Sequence, residues 1–258
     1  MNEEEVLSAG SMPLAHPAYL AKLHPHFVNR EFVTVTYRTD PAALARVVPA
    51  PLKPARDPLV NYEFVRMPDA TGLGNYHESG QVIPVTFEGQ PAAYTHAMYV
   101  DDFAAIAQGR EMMGYPKVLA SPKVEVRRDC LVCTLEYYGV RVVTATMTYK
   151  RKRVDDAVAR RALETPGFLV KLIPHIDGSP RVCELVKFRV GDLVVRGAWT
   201  GEATLELHPH VQAPVAALPV LEVVSATHVI ADLSLGDAEI AYDYLRERAG
   251  RATARRAG

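Results

Sequence analysis

Lys117 is the side chain in this sequence best set for covalent chemistry. It lies in Gly114-Tyr115-Pro116-Lys117-Val118-Leu119-Ala120, between a proline kink and a short apolar run. A free lysine titrates near about 10.4, so roughly one in a few thousand is neutral at pH 7. The neutral amine is the form that attacks a carbonyl. Burial among apolar groups disfavours an ammonium, which is how lysines become Schiff-base nucleophiles. On spacing alone the simpler reading is a surface lysine beginning a strand.

Two carboxylates and an arginine are the other candidates. Glu63 follows Tyr62 in an apolar stretch, where a glutamate facing inward needs a partner. Glu78 falls in Gly72-Leu-Gly-Asn-Tyr-His-Glu-Ser-Gly80, which reads as a glycine-rich loop of the kind that carries functional groups. Arg30 stands just before the first clear strand. Its planar fork could hold a carboxylate, or it could be a solvated rim charge. Nothing in their spacing makes these residues converge.

Other patterns carry less. His24-Pro-His26 and His208-Pro-His210 would put two imidazoles on one strand face, but neither pair has a third ligand nearby. Cys130 and Cys133 form a C-x-x-C on an expected strand, where residues three apart point to opposite faces. That suits buried structural thiols better than a redox pair or a zinc knuckle. The Gly72–Gly80 stretch lacks the G-K-[ST] of a phosphate loop and the order of a dinucleotide site. Met112, Met113 and the lone Trp199 read as core packing, and Lys150–Arg153 as a solvated corner.

These side chains must be positioned by a mostly β framework. The 258 residues suffice for one large core, and a net charge of −1 offers no field for nucleic acid or an anionic membrane. No apolar stretch approaches the roughly 20 residues of a spanning helix, and the acidic start Met1–Glu5 does not read as a signal peptide. With three cysteines, the expectation is a cytoplasmic chain without a disulfide framework. Phe32–Tyr37 alternates at period two. Strands are further expected over Leu59–Met67, Val82–Phe87, Tyr94–Val100, Lys123–Val126, Leu131–Tyr138 and Val140–Tyr149. Later ones are Phe168–Ile173, Val182–Val190, Leu193–Trp199, Ala203–Leu207 and Ser225–Asp232. Short helices are expected after Asp40-Pro41 and over Asp101–Met113, Asp155–Glu164 and Asp237–Arg248. The reading is one β-rich α+β domain over residues 1–258, a large sheet or barrel with helices outside and a fraying tail from Arg246.

Several motifs in order resemble acetoacetate decarboxylase over nearly the whole chain. They include Asn29-Arg-Glu31, Tyr37-Arg-Thr-Asp40, Gly72-Leu-Gly74, Glu78-Ser-Gly80 and Gly109-Arg-Glu111. Tyr115-Pro-Lys117, Ala145-Thr-Met147, Asp177-Gly-Ser-Pro-Arg181, Cys183-Glu-Leu185, Ala198-Trp-Thr-Gly201 and Tyr242-Asp-Tyr-Leu245 follow. The resemblance implies a cone-like β-barrel, a large homo-oligomer and an active lysine in a dry cavity. It implies that Lys117 is the Schiff-base lysine, Glu78 the catalytic glutamate, Glu63 a second active-site carboxylate and Arg30 the arginine beside them. The family is a standard example of an activated lysine.

The activity so implied is conversion of a β-keto acid, acetoacetate, to a ketone and carbon dioxide. It needs no metal or organic cofactor, because the protonated imine is the electron sink. Two alternatives share the scaffold: a sister enzyme doing aldol or dehydration chemistry on a larger keto acid, and a non-catalytic binding module. The family often has Pro-Lys-Lys where this chain has Val118. Adjacent strand residues point opposite ways, so the loss of that second charge is expected to leave activity intact.

Overall fold

The computed structural model describes the backbone of residues 1–257 and the side chains of residues 1–250. Five α-helices are α1 (Glu3–Ser8), α2 (Pro41–Val47), α3 (Phe103–Gln108), α4 (Asp156–Leu163) and α5 (Tyr244–Ala257). The first strands are β1 (His26–Arg38), β2 (Lys53–Pro54), β3 (Leu59–Ala70), β4 (Gly74–Phe87), β5 (Gln90–Val100), β6 (Lys117–Leu119) and β7 (Ser121–Arg127). The remainder are β8 (Cys130–Tyr137), β9 (Val140–Thr148), β10 (Lys152–Arg153), β11 (Gly167–Pro174), β12 (Pro180–Thr200), β13 (Ala203–Leu207) and β14 (Glu222–Asp243). The expected β-rich α+β class is the one observed.

The larger sheet runs β2-β4-β3-β1-β14-β12-β11-β5-β6, with β10 beside β12. Because β4 also pairs with β5, the ladder returns on itself through seven strands. The seam is a short parallel contact, Gly167 with Ala93 and Phe168 with Tyr94. A second sheet, β13-β9-β8-β7, covers one face of the first.

Period-two alternation sends each strand's apolar residues into two separate cores. Val33, Val35, Tyr37, Tyr62 and Phe64 pack against Leu131, Leu135 and Val143 of the second sheet. Phe27, Phe32, Val65, Met67, Tyr76, Met98 and Tyr115 form the other core, around Lys117. Buried polar side chains in the core between the sheets find partners: Gln81 Nε2 donates to Tyr37 Oη at 2.9 Å, and Tyr37 Oη donates to the Leu218 carbonyl, whereas Thr39 Oγ1, His228 Nδ1 and Arg30 Nε are buried without one.

Four expectations need correction. Glu78 sits within β4 and not on a loop; the turn is confined to Thr71–Leu73, with Gly72 and Gly74 at φ of 77° and 74°. Arg30 lies inside β1, since pairing with β14 and β3 carries that strand back to His26. The two segments read as Val182–Val190 and Leu193–Trp199 are one strand, β12, irregular where it passes Gly191. The helix expected from Asp237 begins at Tyr244. Residues 238–243 pair with β12 instead, and Asp243, whose carboxylate accepts from the Leu245 and Arg246 amides, is the true cap. Arg246, where the tail was expected to fray, lies in the first turn of α5; Gly258 lies outside the described residues.

Of the two cysteines expected to be buried, Cys133 is and Cys130 is half-buried, on opposite faces of β8 as expected; all three thiols are free. Among the described residues no helix is long and apolar enough to cross a membrane.

Candidate active site

Lys117 opens β6 and pairs with Met98 of β5, which faces Gly80 of β4, which in turn faces Glu63 of β3. Partners in a ladder share a face, so one row across the sheet carries both Glu63 and Lys117. Gly80 is required in this row because a Cβ there would stand 2.1 Å from the Ala97 carbonyl oxygen.

The lysine is aimed by the segment before it. Asp102 caps α3 through the Ala105 amide, and the helix then widens into a π-helical turn over Gly109–Met113. Such turns often occur at functional sites. Gly114 ends it at φ 89°, a conformation suited to glycine. Lys117 Nζ donates to the Ala105 carbonyl at 3.1 Å, while Arg110 Nη1 donates to the Lys117 carbonyl at 3.1 Å. Gly109 makes room for the side chain: a Cβ at that position would lie 2.8 Å from both Cδ and Cε of Lys117.

The sequence candidates converge here. Lys117 Nζ lies 2.7 Å from Glu78 Oε1, with the two residues 7% and 3% exposed. Arg30 Nη2 approaches Glu78 Oε2 at 3.4 Å. The Arg30 guanidinium carbon is 4.8 Å from the ring centroids of both Phe27 and Phe32. Burial raises the Glu63 carboxyl from its ordinary 4.5 to about 7, with Arg30 opposing the rise and Glu78 adding to it. Glu63 is thus the carboxyl poised near neutrality.

Tyr76 and Tyr115 complete the wall, their ring centroids 5.7 and 5.2 Å from Lys117 Nζ. Burial raises both phenols, so they remain protonated donors. A cavity of about 480 Å³ opens from Lys117 past Tyr76, Tyr115, Phe27 and Met113. Met112 and Met113 line this cavity, and Met113, as read, also packs against the core around it. The segment carrying Leu23 and His24 forms its far wall, and nearby Tyr19 Oη donates to Glu111 Oε2 at 2.7 Å.

Tyr115 was legible as the neighbour of Pro116-Lys117, and Phe32 as two residues from Arg30. Phe27 and Tyr76 gave no local signal and Gly109 entered only through the Gly109-Arg-Glu111 motif, because strand pairing and the π-helical turn bring them in. Of the two histidine pairs, one puts His24 on the cavity wall, and in the other His210 Nδ1 accepts from the Gln212 and Ala213 amides. Among the described residues no three His, Cys, Asp or Glu side chains gather as a metal would require.

Comparison with known proteins agrees with the geometry. A family model described as acetoacetate decarboxylase (ADC) matches residues 11–245. The chain belongs to the acetoacetate decarboxylase family. The acetoacetate decarboxylase of Paraburkholderia xenovorans (strain LB400) is 56% identical over 247 residues, covering 95% of this chain and 97% of that protein. That of Bordetella avium (strain 197N) is 57% identical over 239 residues, covering 92% and 96%. A solved acetoacetate decarboxylase structure matches with a TM-score of 0.92 at 47% identity, covering 95% of this chain and 100% of that one. Val118 is where the sequence was expected to depart from the Pro-Lys-Lys of the family it resembles. Here its side chain is exposed while Lys117 is buried, so position 118 looks away from the amine.

Two predictions follow from this geometry. Gly109→Ala pushes against the flexible end of Lys117 and not against backbone. It should lower kcat about 100-fold, the scale of a misplaced reacting group, with little change in Tm; matched kinetics and thermal melts check both. Glu63 supplies a pH signature. Between its ordinary 4.5 and about 7 the unfolded chain releases a proton that the folded chain keeps. Its contribution to stability is therefore full below 4.5 and is lost as pH rises through 7. Glu63→Gln should flatten that fall, measured as urea midpoints from pH 4.5 to 8.

Proposed function

We propose that Lys117 is the nucleophile of a Schiff-base decarboxylation that turns acetoacetate into acetone and carbon dioxide. One observation carries the assignment: a buried amine 2.7 Å from a buried carboxylate, at the inner end of an aromatic-walled cavity. An amine held for structure alone gains nothing from facing an open cavity.

Glu78 accepts a proton from Lys117 Nζ, and the freed lone pair attacks the substrate ketone carbon. The carbinolamine loses water to give a protonated imine. The bond between the carboxylate carbon and its neighbour then breaks; carbon dioxide leaves, and the electron pair passes through the new carbon–carbon double bond to nitrogen as an enamine. Protonation at carbon regenerates the iminium, and water releases acetone and the free lysine. Glu78 is the group within reach of the nitrogen for these transfers. Arg30, set between two rings and beside Glu78, attracts the incoming carboxylate. Glu63 adds little negative charge while protonated, which keeps the site open to an anion.

The apolar wall favours losing a charged carboxylate as neutral carbon dioxide. The imine serves as the electron sink, so no organic cofactor or metal enters the scheme.

The chain functions as one catalytic domain within a homo-oligomer. The edge strand β6 leaves Val118 and Leu119 exposed on its two sides, where a neighbouring copy could cover them. Three free cysteines fit a reducing, cytoplasmic setting.

Acetone and carbon dioxide release from acetoacetate tests the proposal. Lys117→Met should abolish it, and Glu78→Gln should slow it about 100-fold or more, as loss of a proton-transfer group does. A Glu78→Gln enzyme with unchanged turnover would remove Glu78 from the proton path. Turnover persisting in Lys117→Met would end the Schiff-base reading.

A further inference from the structure

Phe27 and Arg30 are three residues apart on β1, and on a regular strand they would face opposite sides. Yet Arg30 stacks on Phe27 as closely as on Phe32. The register with β14 resolves this. Phe27 pairs with Leu233 and Arg30 with Ala231, so Val28 and Asn29 both stand against Asp232 alone. This is a β-bulge, a device that re-aims side chains. It flips the alternation of β1, so that Phe27, Arg30 and Phe32 share the cavity face.

Asn29 sits at φ 53°, a left-handed conformation that a non-glycine residue adopts at some cost. Its amide donates to Asp232 Oδ1 at 2.8 Å. Asp232 is 6% exposed and accepts from Arg196 Nε at 2.9 Å and from Arg196 Nη2. The hydrogen bonds from Arg196, and then from the Asn29 amide, hold the Asp232 carboxyl below its ordinary range against the opposing effect of burial. Along β14, Ala231 and Leu233 belong to the cavity-side core, so Asp232 between them points to the other face.

We propose that Asp232 is a positioning residue for the reaction: from the far side of the sheet it fixes the Asn29 bulge and thereby holds Arg30 between Phe27 and Phe32, in reach of Glu78. Arg196 supplies the charge that keeps the carboxylate an acceptor. The inference rests on the reading that Arg30 serves the decarboxylation.

Kinetics of acetone formation across pH test it. Asp232→Ala should lower kcat/KM about 10- to 100-fold, the effect of a small misplacement near the reacting groups. Ionisation of Glu63 places a second negative charge beside the anionic substrate, so kcat/KM should fall at alkaline pH; in the variant that Glu63-dependent limb should move to higher pH, because Arg30 opposes the rise in Glu63. Adding Asn29→Gly should recover much of the loss, since glycine takes a positive φ without a Cβ penalty. Arg30→Ala should cost little more on top of Asp232→Ala, as expected for two residues acting through one contact. If Asp232→Ala does not fold, Asn29→Val, at an exposed position where a β-branched residue resists that φ, should give the same loss and the same limb shift. A folded Asp232→Ala or Asn29→Val enzyme with wild-type kcat/KM and an unmoved limb overturns the proposal. So do fully additive losses with Arg30→Ala. Arg30→Ala alone with wild-type kinetics would instead remove the role of Arg30 itself, and this proposal with it.

Discussion

The contact between Lys117 Nζ and Glu78 Oε1, 2.7 Å long and almost closed to water, constrains the rest of the site. Two opposite charges out of water are stable only as a pair with their remaining bonds satisfied, and removing one partner costs about 3–5 kcal/mol. The other hydrogen bond of the amine goes to the Ala105 carbonyl, in the helix that then widens into the π-helical turn. The second oxygen of Glu78 faces Arg30. A substrate carbonyl that takes the amine therefore enters a site whose carboxylate already has another cation beside it.

Arg30 and Lys117 face Glu78 and Glu63, but the four groups are unequal. Glu78 is in contact with both cations, whereas burial drives the Glu63 carboxyl towards neutrality, to about 7. One carboxyl of the cluster is thus lifted by burial while the other is held between two cations. The backbone supports that difference through three local irregularities: the bulge at Asn29, the close approach at Gly80 and the π-helical turn at Gly109–Met113.

Much of the framework was legible in the amino-acid sequence. Alternation marked most strands, and Asp40-Pro41 and Asp155 marked helix starts that the structure retains. Segments failed where pairing overrode local signals. Asp237 looks like a cap, but the stretch after it finds a partner strand in β12. Gly72–Gly80 looks like a loop, but only its first glycines turn, while Gly80 lets two strands approach closely. Lys117, Glu78, Glu63 and Arg30 were picked out individually as chemically able groups, and motif order linked them. Their convergence was invisible to spacing because it spans β1, β3, β4 and β6. Phe27 required the bulge, which no periodicity rule announces.

The central claim is that the Lys117 amine forms an imine and that carbon dioxide leaves from it. Borohydride trapping with acetoacetate at neutral pH, followed by peptide mapping by mass, tests both steps at once. The account predicts an isopropyl group on Lys117, captured after loss of the carboxylate. A trapped adduct still bearing its carboxylate, or an unmodified Lys117 in enzyme that turns over, would contradict it.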